Sequence, residues 1–175
     1  QVDDLYNELV PDLIRRRSQY KRIECSDSEV LTLSIMQEAL SMDSEESFLR
    51  FVRKNYLYLF PLLLSRDRYN RRRRALMETS LMLFRHLASF FKRRAQYLIV
   101  DSAPVETAAF VRSRSASVSM PEAAYGYMPS KKRYFFGFRL HGLVSDEGAV
   151  VDFILSPADV DERTVAKDLL KPYRG

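Results

Sequence analysis

The hydrophobic period changes at Tyr97, and that change constrains the fold more than any other feature of the chain. Before it, apolar residues recur at helical spacing. After it come short runs of β-branched and aromatic residues. The first such run is YLIVDSAPV, residues 97–105. Four apolar residues lead straight into Asp101, and a small residue and a proline follow. Tyr97–Val100 reads as a fully apolar strand, central in its sheet, that ends at Asp101. A carboxylate is costly to bury unpaired. Asp101 is therefore expected near water, a metal ion or a partner.

The segment before Tyr97 reads as a set of helices. In residues 2–14, Val2, Leu5, Tyr6, Leu9, Val10, Leu13 and Ile14 share one helical face, and Pro11 ends or kinks the helix. Ser26-Asp27-Ser28-Glu29 has the form of a capping box. It predicts a helix to about Leu40, with Leu31, Ile35 and Leu40 among the buried positions. Ser44-Glu45-Glu46 offers another start, capped by Asp43 or Ser44, with Phe48, Phe51 and Val52 facing the core. A long helical pattern follows later, with Leu76, Ser80, Leu83, Phe84, Leu87 and Phe91 on one side.

Between these helices lies SRDRYNRRRR, residues 65–74, with six arginines. A solvated helix face is one reading of Arg66, Arg68, Arg71, Arg72, Arg73 and Arg74. Phosphate contact is the favoured one, because the guanidinium fork matches phosphate oxygens. Lys92-Arg93-Arg94, by contrast, suits the negative end of a helix dipole. The formal net charge is +5 and the sequence pI is about 9.4. Residues 1–100 hold 18 Lys and Arg against 13 Asp and Glu, while residues 101–175 hold ten of each. The basic excess therefore sits with the helices, and an acidic polymer is the partner it fits.

Cys25 is the single cysteine, so an intrachain disulfide is excluded, and His86 and His141 are too few for a Cys/His metal cluster. An intracellular protein is the simple expectation. No apolar run approaches the ~20 residues of a membrane helix, and no signal peptide opens the chain. Starting at Gln1 and closing on Gly175, it is expected to be a fragment or a processed chain.

Beyond Asp101, residues 107–130 show no sustained period and read as a functional or partly disordered loop. Arg112 and Arg114 there fit a loop that orders on DNA. Lys131 to Val144, KKRYFFGFRLHGLV, and Ala149 to Leu155, AVVDFIL, read as an antiparallel hairpin around the turn Ser145–Gly148. Lys131, Lys132 and Arg133 either approach DNA phosphates or start the strand from solvent. Within that strand, His141 either orders a site or is a hydrogen-bonded structural histidine. Asp159 to Glu162 then offers a helix cap, with Val165, Ala166, Leu169 and Leu170 on the inward face. The order strand, hairpin, helix matches the first part of a ribonuclease-H-like fold. In such a fold the next strand would lie parallel to the first and set a second carboxylate beside Asp101.

YLIVDSAPV, then YGYMPSKKRYFFGFRLHGLV, then FILSPADVDERTVAKDLL together resemble the DDE transposases of bacterial insertion sequences. SDSEV at 26–30 and SRDRYNRRR at 65–73 resemble the helical N-terminal part of one branch. The resemblance covers about Ser26 to Leu170. It implies an α/β chain: a helical DNA-binding region over 1–95, then an incomplete ribonuclease-H-like (β-β-β-α) catalytic domain over 96–175, truncated before strand 4. It implies a bacterial cytoplasmic, nucleoid-associated enzyme. Its partners would be double-stranded DNA, at transposon ends and target, and further copies in a homodimer or synaptic oligomer, with no membrane. The chemistry would be phosphoryl transfer with Mg²⁺ or Mn²⁺, for which carboxylates hold two ions about 3.5–4 Å apart. Asp101 matches the first catalytic and metal-binding aspartate. The second aspartate and the glutamate have no matching position, so the chain alone is expected to be inactive. A non-catalytic DNA-binding protein, truncated or domesticated, is the alternative reading.

Overall fold

Ser26 opens its helix as the capping box requires. Its hydroxyl accepts the Glu29 backbone N–H at 3.1 Å, and the Glu29 carboxylate accepts the Ser26 N–H at 2.6 Å. The computed structural model describes residues 1–11, 25–108 and 121–173. Two compact units divide the chain, Gln1–Phe84 and Arg85–Gly175. No helix among the described residues is long and apolar enough to cross a membrane.

The first unit is helical. It holds α1 (Val2–Leu9), α2 (Asp27–Ala39), α3 (Glu45–Asn55) and α4 (Arg66–Ala75), and α5 (Met77–Arg94) begins in it. Its core gathers Tyr6 and Val10, then Val30, Leu31 and Leu33, then Phe48, Leu49 and Val52, then Tyr69, Leu76 and Leu83. Ile35 and Leu40, expected inside, are 55 % and 45 % exposed. The inward stripe of α2 runs through Val30, Leu33 and Gln37 at i, i+3, i+7, and this turns Ile35 to the far side. Leu40 is the C-cap, beyond the last turn. The buried Gln37 accepts a hydrogen bond from the Tyr69 hydroxyl at 3.2 Å and donates to the Met42 carbonyl at 2.9 Å. Of the expected inward residues Leu31 is buried, while the last inward position of α2 is taken by the polar Gln37.

The second unit is built on an antiparallel sheet of β1 (Leu98–Ala108), β2 (Ala124–Met128), β3 (Arg133–Ser145) and β4 (Val150–Pro157), followed by α6 (Glu162–Leu170). β3 is central. β1 lines its one side, from Leu98↔Ser145 to Ala108↔Phe136, while β2 and β4 share the other. Three sequence expectations change here. β1 does not end at Asp101 but runs seven residues further. It pairs only with β3 among the described residues, so it is an edge strand rather than a central one. Pro104 fits that position, since proline has no N–H to give to a second neighbour. The segment expected to be irregular contains β2.

Two glycines are fixed by the backbone. Gly148 takes φ +81 in the β3–β4 turn, where its N–H donates to the Ser145 carbonyl at 2.8 Å. Gly137 takes φ +154 opposite the bulge between Glu106 and Ala108, and a Cβ there would lie 2.2 Å from the Val105 carbonyl oxygen. Asp161 caps α6 by accepting the Arg163 N–H at 2.6 Å.

Candidate metal centre

Asp101 lies in the first half of β1, paired with Gly142, and is exposed. One carboxylate oxygen, Oδ1, accepts the Ser102 N–H at 2.8 Å. Val100, Asp101 and Ser102 border a cleft of about 320 Å³ with His141 of β3 and Glu162, Arg163 and Ala166 of α6. Residues two apart on a strand share a face. Ser102 and Val100, partners of His141 and Leu143, thus lie on one face of the sheet. Asp101 belongs to the opposite face with Ile99 and Ala103.

His141 is almost fully buried, and its Nε2 is 3.1 Å from the Ser156 hydroxyl. Burial, and secondarily the Arg139 guanidinium, hold its imidazole below the ordinary value of 6.5. It is therefore a neutral, hydrogen-bonded histidine at the floor of the cleft. Beside it, Arg139 forms an ion pair with Glu162 and donates to the Tyr127 carbonyl at 3.1 Å, while its Nε is buried without a hydrogen-bond partner among the described residues. This pair borders a second cleft of about 270 Å³ that shares Ser102 and Glu162 with the first. Composition and period gave no sign of the pair. One signal was available: Arg139 alternates with Phe135 and His141 on the inward face of β3, and an inward arginine requires a carboxylate.

As a metal ligand, Asp101 presents a hard oxygen donor to solvent, which suits an ion that keeps several of its waters. His141 is engaged with Ser156, and Glu162 is held by Arg139. The residues therefore fit a divalent ion through one protein ligand, Asp101. Among the described residues, no group of three or more His, Cys, Asp or Glu could hold a metal. Asp159 and Asp161 lie in the turn and cap before α6.

The arginine run forms α4 and divides between two sides. Arg72 forms an ion pair with Asp27 and donates to the Cys25 carbonyl at 2.9 Å. Arg73 pairs with Glu38 at 2.6 Å and lies 3.8 Å from Glu45. Arg66, Asn70 and Arg74 follow one another at i, i+4, i+8 with Arg71 beside them. They surround a cleft of about 380 Å³ that also takes in Glu45 and Asp67. Arg66 is 3.2 Å from Asp67, and Arg68 is exposed. In the sheet unit Lys131 and Lys132 are exposed, and Arg133 holds Glu106 through both guanidinium nitrogens. Arg112 and Arg114 lie outside the described residues.

Residues 92–175 match the family model described as the transposase DDE domain, a class that in general uses a divalent metal. No curated protein and no solved structure matches the chain. Residues 92–175, which carry Asp101 and both of its neighbouring clefts, are similar to the transposase DDE domain, and this likeness supports a DDE-type transposase.

Proposed function

We propose that this chain is part of an enzyme that cleaves DNA at transposon ends and transfers the strands to target DNA by metal-dependent phosphoryl transfer. The observation that carries the reading is the place of Asp101. It is an exposed carboxylate on an edge strand, inside the stretch that matches the transposase domain. Its neighbours bind and orient. Ser102 fixes one carboxylate oxygen, and the Arg139–Glu162 pair ties the start of α6 to β3 beside the cleft. When bound, Mg²⁺ or Mn²⁺ would polarise phosphate oxygens and activate the attacking hydroxyl. Asp101 would hold it, and the remaining carboxylates would come from a strand added along the open side of β1 and from a later helix.

In this reading residues 1–95 form the DNA-binding region and 96–175 an incomplete catalytic domain. Duplex DNA meets the outward arginines of α4, Arg66, Arg68, Arg71 and Arg74. Arg112, Arg114, Lys131, Lys132 and Arg133 supply contacts from the second region, and Arg72 and Arg73 add charge from the inner side of α4. Enzymes of this kind join two DNA ends, so a dimer or synaptic oligomer is the working form.

The test is Asp101→Ala in the intact transposase, read by strand cleavage with Mg²⁺ and by DNA binding. Cleavage should fall below detection while binding stays within about twofold. Normal cleavage by that variant would remove Asp101 from the mechanism. An intact protein that binds end DNA and cleaves none would instead be the non-catalytic DNA-binding protein.

A further inference from the structure

The β2–β3 hairpin keeps its tyrosines outside. Gly126, Met128 and Phe135 point inward, where Met128 and Phe135 pack with Ala158. Alternation then places Tyr125, Tyr127 and Tyr134 on the outer face. At the base of the hairpin Tyr125 packs on the buried Phe136, with centroids 5.0 Å apart. Nearer the tip Tyr127 and Tyr134 are directly paired across the strands, with rings 5.1 Å apart and tilted by 56°. These two remain 43 % and 62 % exposed. The turn between the strands, Pro129–Lys131 followed by Lys132 at φ +48, sets Lys131 and Lys132 in solvent next to the ring pair. Arg133 is already held by Glu106.

Exposed rings flanked by cations at a hairpin tip are what a nucleic-acid strand with unpaired bases recognises. Bases stack on the rings whatever their sequence, and the lysines meet the backbone. A fully paired duplex offers its phosphates but hides its base faces, so it would use the lysines and leave the tyrosines idle. Tyr127 also borders the cleft that shares Ser102 and Glu162 with the cleft of Asp101. By alternation Asp101, through its partner Gly142, shares the outer face of β3 with Tyr134, so a strand held at Asp101 leads along that face toward this hairpin. We propose that Tyr127 and Tyr134 form a stacking platform for unpaired bases of a DNA strand, with Lys131 and Lys132 on its phosphates. The identity of the strand as DNA rests on the transposase reading.

The experiment compares a blunt duplex with the same duplex bearing a short single-stranded overhang that contains 2-aminopurine. Both are titrated with the full chain and its variants over a series of salt concentrations. The wild type should bind the overhang DNA more tightly and quench the 2-aminopurine. The double variant Tyr127→Ala, Tyr134→Ala should lose the quench and bind the overhang DNA about tenfold more weakly, with blunt-duplex affinity unchanged. Tyr127→Phe with Tyr134→Phe keeps both rings and should behave like wild type. Lys131→Ala with Lys132→Ala should lower the salt slope by about 2 and retain the quench. An alanine variant that melts like wild type and keeps the overhang preference would overturn the platform. So would equal weakening on both DNAs, or an alanine variant that changes oligomeric state, because the ring pair would then be a self-association surface. A wild type that binds both DNAs equally, with normal duplex affinity and Asp101-dependent cleavage, would sink the platform and leave the transposase reading standing. A wild type that binds neither DNA would sink both.

Discussion

In the helical unit Val30, Leu33, Phe48 and Val52 are sealed from solvent, and the polar groups among them are paired. In the sheet unit Ile99, Leu155 and Tyr134 stand in solvent, although their strands are well formed. The helical unit closes the inward stripes of its helices against one another, so those side chains set its stability, while Tyr58, Leu59 and Leu62, between α3 and α4, stay in solvent. The sheet packs the other side of β3 against α6, where Val165 and Leu169 are buried, and leaves Ile99, Leu155 and Tyr134 uncovered. An uncovered apolar face and an unpaired strand edge are places where other chains or strands attach. In the sheet unit the uncovered face runs across β1, β3 and β4 and, among the described residues, ends at the unpaired edge of β1.

The largest effect should break this contrast at a single side chain. Phe48→Ala empties a fully buried site and should cost about 3–5 kcal/mol, read by urea or thermal melting of the chain. Leu155→Ala removes an apolar side chain that is half in water and should change stability by no more than about 0.5 kcal/mol. If the two variants melted alike, the sheet face would be covered in solution and the contrast would fail.

A smaller effect tests the same contrast within one helix. Arg72→Ala leaves the partly buried Asp27 carboxylate without its ion pair, keeping the Tyr6 hydroxyl at 2.9 Å, and should cost about 1.5–3 kcal/mol. Arg71→Ala should leave the melting curve in place, weaken duplex binding and lower the salt slope by about 1. The opposite assignment, in which Arg71 holds the fold and Arg72 only meets DNA, would exchange these outcomes.

Local signals were legible in the sequence and remote pairings were not. The Ser26–Glu29 box, the turn that needs Gly148 and the order of strand, hairpin and helix follow from residues close together in the chain. The pairing of Arg72 with Asp27, and of Arg73 with Glu38, spans 45 and 35 residues. No periodicity reveals which arginines of a run turn inward. Gln37 misled for a related reason, because its long-range bond to Tyr69 makes a polar residue fit the core. The exposed position of Asp101 on β1 was legible from the run that precedes it. The length of β1 was not, since Pro104 reads as a strand breaker until β1 is known to be an edge. β2 is only five residues long and lies in a stretch without period. Glu162 was read as part of a cap, and its tie to Arg139 depends on how α6 lies on β3.

The smallest effect concerns the floor of the cleft. Burial and the Arg139 guanidinium hold His141 below its ordinary value, and the other charged groups bordering that cleft are Asp101, Glu162 and Arg163. The folded chain therefore binds a proton at His141 less readily than the unfolded chain does. Above pH 6.5 both states leave the imidazole neutral, and the group contributes nothing to the pH dependence. As the pH falls below 6.5 the unfolded state takes up the proton first, so stability drops, by at most about 1.4 kcal/mol per pH unit for one proton. The drop levels off once the pH passes below the folded value. His141→Gln keeps a polar partner for Ser156 and cannot titrate. Its melting temperature should therefore change less than that of wild type between pH 7 and pH 5. An unchanged slope in that variant would mean that His141 is reached by water when folded, and that the cleft floor is as open as the sheet's other face.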